Sequence, residues 1–308
     1  MRQKALKTEQ SHTTSSGPFR NVVFAGGGGR CIWQGGFWEV VAPEIGLNPS
    51  TIAAVSAGSL MACLLLSERT EVAMEVFVEL ARENAKNVYW EHAFSTQPMF
   101  PQSAIYRKML EASFGETELQ RLKEGPDIRL FLARLPRWLG ARSGALLGFL
   151  AYNVEKKTRK PLHPQFARRL GFRAETASLR ECQTPEELAD LILQSSCTPP
   201  FTPIYKRSGQ VVLDGGLVDN VPVEALGDDV HKGNTLVLLS RPYPPDLRLM
   251  TADRLYVHPA TRVPLSTWDY SSPEKVRTTY EQGLREGELF LKTTWLDWKN
   301  RSQTLLSS

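Results

Sequence analysis

The chain has 308 residues, of which 42% are hydrophobic and 23% charged. That balance is ordinary for a globular protein with a large core. Its four cysteines, Cys31, Cys63, Cys182 and Cys197, include no CxxC pair. This argues against a zinc site and a disulfide framework, and for a reducing compartment.

The first residues, MRQKALKTEQSHTTSSGP, have no apolar core of signal-peptide type. We expect residues 1–19 to be a flexible polar tail. No apolar stretch approaches the roughly 20 residues of a spanning helix. The expectation is a cytoplasmic protein with no cleavable signal peptide and no transmembrane helix.

Asn21 to Phe24 reads as a buried strand. Four glycines follow, Gly26 to Gly29, then Arg30 and Cys31. Beyond them Trp33, Gly36, Phe37, Val40 and Val41 recur on one helical face. Thr51 to Val55 predicts a second short strand, and Ser59 to Leu66 opens a helix that runs on towards Ala81. The segment VSAGS, residues 55–59, joins that strand to that helix.

From Phe131 to Arg173 there are ten basic residues and one acid, Glu155, so this segment carries +9 of a net +4 chain. Its charges include Lys156, Lys157, Arg159 and Lys160, interleaved with Trp138, Phe149, Tyr152 and several leucines. Basic residues mixed with apolar and aromatic ones suit an anionic membrane surface. A solvated basic face over a core helix is the alternative. No nucleic-acid motif accompanies the charge.

Thr184-Pro185-Glu186-Glu187 has the spacing of a helix start. That helix must end near CTPPFTP, residues 197–203, because prolines cannot continue it. Val211 to Leu213 predicts a strand ending at Asp214-Gly215-Gly216. Thr235 to Leu239 and Arg254 to His258 predict two more. A last helix begins at Ser272-Pro273, with Val276, Tyr280 and Leu284 on one face. Alternating strands and helices predict an α/β layered fold with a largely parallel sheet. They form one domain over 20–292, followed by a tail over 293–308.

The glycine run fits neither the dinucleotide pattern GxGxxG nor a phosphate loop, since no GK[ST] follows it. Consecutive glycines before a helix instead expose backbone N–H groups, which suit an oxyanion hole. That role requires a nearby nucleophile. Ser56 sits at a strand-to-helix junction, with Ala54 two before it and Gly58 two after. This is a nucleophile elbow with alanine in place of the first glycine. A serine N-cap is the simpler alternative. No histidine lies in an obvious motif, and Asp214 beside two glycines is the better candidate base. A turn aspartate is the alternative there.

Three motifs in order give a resemblance to the patatin-like phospholipases, particularly their bacterial branch. Gly26 to Arg30 is similar to the family's GGGx[RK]G, with Cys31 at the last glycine. Ala54 to Gly58 is similar to GxSxG. Asp214-Gly215-Gly216, continuing through Leu217 to Val223, resembles the DG[GA] motif, and Ser196 to Phe201 resembles the loop before it. The resemblance covers residues 20–225 and fades over 85–175, which reads as a basic elaboration.

The resemblance implies a three-layer α/β/α fold and a lipid acyl hydrolase of phospholipase or lysophospholipase type. Its substrate would be a phospholipid or another acyl-ester lipid. It implies Ser56 as nucleophile, Asp214 as base, and an oxyanion hole of amides around Gly26, Gly27, Gly28 and Gly29. Arg30 would support that loop or meet a phosphate. It implies no cofactor and no metal, and no motif speaks to a protein activator. Two alternatives stay open. One is an inactive lipid- or membrane-binding module. The other is an α/β-hydrolase triad of Ser56, Asp214 and His258.

Overall fold

The computed structural model of the protein describes residues 17–92, 95, 98–136, 140, 166–244, 250–251 and 253–306. Most strands of its sheet are runs of β-branched and apolar residues. The first two are β1 (Asn21–Phe24) and β2 (Thr51–Val55), both buried at every position. The third, β3 (Asp127–Arg134), is followed by β4 (Arg173–Ser178), β5 (Tyr205–Arg207) and β6 (Gln210–Asp214). The last two are β7 (Thr235–Leu238) and β8 (Arg254–Val257). Hydrogen-bonded pairing runs along the path β5-β6-β3-β2-β1-β7-β8, with β4 also on β3. Pairings among β3, β2, β1, β7 and β8 are parallel, and those of β4, β5 and β6 are antiparallel.

Successive side chains on a strand point to opposite faces, and the two cores follow that rule. Val22, Phe24, Ile52, Ala54, Ile128 and Leu130 enter the larger core. Val23, Ala53, Val55, Phe131 and Val237 enter the smaller one.

The larger core is covered by α1 (Ile32–Glu44), α2 (Ala57–Leu66), α3 (Thr70–Glu83), α4 (Gln102–Ser113) and α5 (Glu116–Glu124). The smaller is covered by short α6 (Phe166–Arg169) and by 3-10 turns over Val223–His231. Later helices return to the larger core: α7 (Pro185–Ser195), α8 (Pro273–Lys292) and α9 (Thr294–Leu306). A mostly parallel sheet between helical layers is the fold the sequence predicts. Thr184 caps α7 as expected, its side chain accepting from the Glu187 amide at 3.2 Å.

Three expectations need correcting. The helix predicted to run from Ser59 towards Ala81 is two helices. Ser67 Oγ bonds back to the Cys63 carbonyl at 2.7 Å, which competes with continued helix, and Glu68 turns the chain with φ 58°. The stretch 85–175, set apart by sequence as an elaboration, supplies α4, α5 and the central strand β3. Residues 293–308, read as a tail, carry α9, and its Trp298 is buried with its ring 5.4 Å from that of Phe19.

No helix among the described residues is long and apolar enough to cross a membrane.

Candidate active site

The site is assembled by β3. Strand β4 lies along β3 from Arg129 to Arg134 and so occupies one edge. The other edge is shared end to end: β2 runs parallel to it as far as Val55 opposite Phe131. Strand β6 runs antiparallel to it and ends with Asp214 opposite Leu132. The C-terminal ends of β2 and β6 therefore converge on adjacent residues of β3. The residue after Val55 is Ser56, and it meets Asp214.

Ser56 Oγ donates to Asp214 Oδ2 at 2.5 Å. The serine holds φ 55° and ψ −136°, a left-handed conformation that a serine adopts only at a cost of ~1–3 kcal/mol. The sharp turn lifts its hydroxyl off the strand. A Cβ on Gly58 would stand 2.7 Å from the carbonyl oxygens of Phe24 and Ala25, so β1 and α2 pass too close for any side chain there. Ala54, the departure from GxSxG, lies in β2 and is fully buried. The strain of the turn falls on Ser56, and alanine fits.

A buried polar residue supports the turn. Ser195 Oγ accepts from the Ser56 amide at 3.0 Å and donates to the Phe131 carbonyl at 2.8 Å. Ser59 Oγ lies 3.2 Å from it.

Asp214 is held on all sides. Its Oδ1 accepts from the Gly216 amide at 2.7 Å and its Oδ2 from Thr198 Oγ1 at 3.3 Å. A Cβ on Gly215 would fall 2.3 Å from the Phe131 carbonyl oxygen. Burial pushes the carboxyl up to about 6, against the pull of the bonds from Ser56, Gly216 and Thr198. A carboxylate of that basicity suits proton exchange near neutral pH.

The four glycines fit a loop pressed from every side. Added Cβ atoms would meet Asn220 Oδ1 at 2.6 Å from Gly26 and Ser240 Oγ at 2.2 Å from Gly27. They would meet the Thr267 carbonyl oxygen at 2.1 Å from Gly28, and Leu265 at 2.7 Å from Gly29. Gly28 also has φ +59°, in the region that favours glycine.

Not all four amides face the cavity. Gly26 N donates to the Asn220 carbonyl and Gly29 N to the Thr267 carbonyl. Those of Gly27 and Gly28 open the 3-10 turn that leads into α1, where N–H groups lack partners within the helix. Both residues line the cavity beside Ser56. Arg30 lines it too, and its Nε donates to the Gly27 carbonyl at 3.1 Å. Cys31, at the family's last glycine, is buried against the Ala25 carbonyl at 3.4 Å. Burial raises its thiol to about 12, so it stays protonated and acts as packing.

The cavity measures about 400 Å³. Ser56, Asp214, Gly216 and the two glycines form part of its wall, and Phe201 stacked on Trp268 at 4.4 Å forms another.

His258 is elsewhere. It follows β8, three strands from β2, about 14 Å away at the usual strand spacing. Its Nδ1 bonds the Pro259 carbonyl at 2.7 Å. Lys156, Lys157, Arg159 and Lys160 lie outside the described residues. Of the other charges in the basic segment, Arg134 pairs with Glu175 and Arg168 with Glu224.

Sequence reasoning missed Ser195, Ser240, Tyr106 and Tyr270, which bear no motif. Thr198 and Asn220 were within stretches quoted for the resemblance, without a role. Among the described residues no group of acidic, histidine or cysteine side chains is arranged to hold a metal ion.

Fold and cavity together define an α/β protein with a serine at a strand-to-helix elbow and a carboxylate on its hydroxyl. Residues 22–226 match the model of the patatin-like phospholipases, and the chain belongs to that family. Its members are generally lipid acyl hydrolases. Among solved structures the chain is similar to VipD from Legionella pneumophila, with 12% identity and a TM-score of 0.47, over 91% of this chain and 68% of that one. No curated protein matches it.

Proposed function

We propose that this chain is a serine lipid acyl hydrolase of phospholipase or lysophospholipase type that works through a Ser56–Asp214 dyad. The observation that carries the reading is the 2.5 Å bond from Ser56 Oγ to Asp214 Oδ2 at the wall of a cavity bordered by Gly27 and Gly28.

In the proposed chemistry Ser56 Oγ attacks the acyl carbonyl carbon as Asp214 takes the hydroxyl proton. The carbonyl oxygen becomes an oxyanion, bound by the amides of Gly27 and Gly28. Such donors are each worth ~3 kcal/mol in comparable sites. The tetrahedral intermediate collapses, the ester C–O bond breaks, and Asp214 returns its proton to the departing alcohol. Water then attacks the acyl-serine. Asp214 takes a proton from it, the acid leaves, and the proton goes back to Ser56. Only a carboxylate is needed as shuttle, so no histidine enters the path.

The +9 segment supports peripheral binding to anionic membranes. Its first residues, Phe131–Arg134, end β3 beside the point at which Ser56 and Asp214 meet.

The test is covalent labelling and product analysis. A fluorophosphonate should label wild type and not Ser56→Ala. Wild type should release fatty acid from mixed phospholipids and lysophospholipids, read by mass spectrometry. Labelling that persists in folded Ser56→Ala would remove Ser56 as nucleophile.

A further inference from the structure

A second cavity lies behind the glycine loop. It is lined by Ile32 from α1, Leu60, Met61 and Leu64 from α2, Met74 and Phe77 from α3, and Met109 from α4. Its lining is almost wholly apolar. The break at Ser67–Arg69 turns α3 across α2 and leaves this space between them. Two bonds hold the break: Arg69 Nε donates to the Ser113 carbonyl at 3.2 Å, and Arg121 Nη1 to the Ser67 carbonyl at 3.3 Å.

This cavity shares Gly28, Ala57, Tyr106 and Tyr270 with the cavity at Ser56. Ala57 follows the serine directly. The cavity at Ser56 is lined also by Arg30, Asn220 and Thr267, so an ester whose carbonyl oxygen rests on the Gly28 amide borders both an apolar space and a polar one. The two ends of an acyl ester differ in the same way: one is alkyl, the other an alcohol or head group.

We infer that the cavity between α2, α3 and α4 takes the acyl chain of the substrate, and that Met61, Met74 and Met109 set the length accepted. The inference rests on the acyl-hydrolase reading above. The space measures about 40 Å³ as it stands, room for a short alkyl segment only. Methionine is unbranched and flexible, so longer chains enter by displacing these three side chains. Tyr106, buried with its hydroxyl 3.3 Å from Ser196 Oγ, lines both cavities.

The experiment measures kcat/KM for p-nitrophenyl acetate, butyrate, hexanoate, octanoate, decanoate and palmitate. Each rate is expressed relative to the acetate ester of the same variant. Each buried methylene should raise the wild-type ratio about fourfold until the cavity is full. Met109→Phe, which fills the space, should move the optimum to a shorter ester. Met74→Ala, which enlarges it, should move the optimum to a longer one. An unmoved optimum in both folded variants overturns the proposal. If no ester is hydrolysed, the acyl-hydrolase reading has failed, and calorimetry with hexanoate and decanoate decides the cavity separately. Binding that weakens in Met109→Phe, more for decanoate than hexanoate, supports it, and equal binding to wild type and variant overturns it.

Discussion

Ser56 and Asp214 are separated by 158 residues, yet the serine hydroxyl and the carboxylate are 2.5 Å apart. Their meeting point is set by one strand: β3 pairs Val55 at Phe131 and Asp214 at the next residue, Leu132. The contact is as precise as the register of that strand.

If Asp214 is the base, Asp214→Asn should lower kcat by ~10²–10⁴-fold, since an amide cannot take the proton. His258→Ala should stay within about twofold of wild type, because its ring is three strands away. Steady-state kinetics on a soluble ester, with circular dichroism for folding, checks both. A folded, inactive His258→Ala protein would overturn the dyad in favour of a triad.

Burial lifts Asp214 from its ordinary 3.8 to about 6, and in the proposed chemistry the base form is the active one. The kcat/KM for a soluble ester should therefore rise with pH through about 6 and level off above it. Stability should move the other way. A carboxyl whose folded value is raised contributes stability that is present in full below 3.8 and lost as pH rises through about 6. Asp214→Asn should thus melt above wild type at pH 7, and the gap should close towards pH 3.8. A gap that widens in acid would contradict this account.

The φ of 55° at Ser56 has its own signature. Ser56→Gly should remove the strain and raise unfolding stability by about 1 kcal/mol while abolishing hydrolysis. Denaturant titration of wild type, Ser56→Ala and Ser56→Gly separates relief of strain from loss of the hydroxyl. Equal stability of the glycine and alanine variants would show that the turn carries no strain.

Gly28→Ala places a Cβ 2.1 Å from the Thr267 carbonyl oxygen at φ +59°. The loop must shift, and kcat should fall by ~10²–10³-fold, the loss typical of one oxyanion donor. Gly46→Ala is the control. Its φ is +61° but nothing lies within 4 Å, so it should lose about 1 kcal/mol of stability and keep its activity. Full activity in Gly28→Ala would remove its amide from the oxyanion hole.

Replacing Lys156, Lys157, Arg159 and Lys160 together by alanine should weaken binding to anionic vesicles by about 1 kcal/mol per charge at low salt. Soluble ester hydrolysis should be spared. Sedimentation with neutral and anionic vesicles reads the effect. Salt-independent binding that ignores lipid charge would refute it.

Much of this was legible in the chain. Short apolar runs marked β1, β2 and β7, and Thr184-Pro185 marked the start of α7, because strand and cap signals are local. Ser56, Asp214 and the glycine loop stood out because tight backbone approaches leave a mark in small residues. What stayed hidden depends on partners distant in sequence. β3 carries the charged pair Asp127 and Arg129 at its start, and its role follows only from its neighbours β2, β4 and β6. The break at Glu68 carries neither glycine nor proline. Ser195 looks like any serine at a helix end until the Ser56 amide is placed on it. The glycine loop misled in one respect: four glycines suggested four donors, and Asn220 and Thr267 occupy two of them.

The shared edge of β3 also orders events in time. A ribosome makes Ser56 first and Asp214 158 residues later, a delay of roughly 8–32 s at ~5–20 residues per second. Through that interval the emerging chain holds Ser56 without Asp214. In the proposed chemistry, esterolysis starts only when β6 closes on β3, so a half-made or prematurely released chain poses no threat to nearby bilayers.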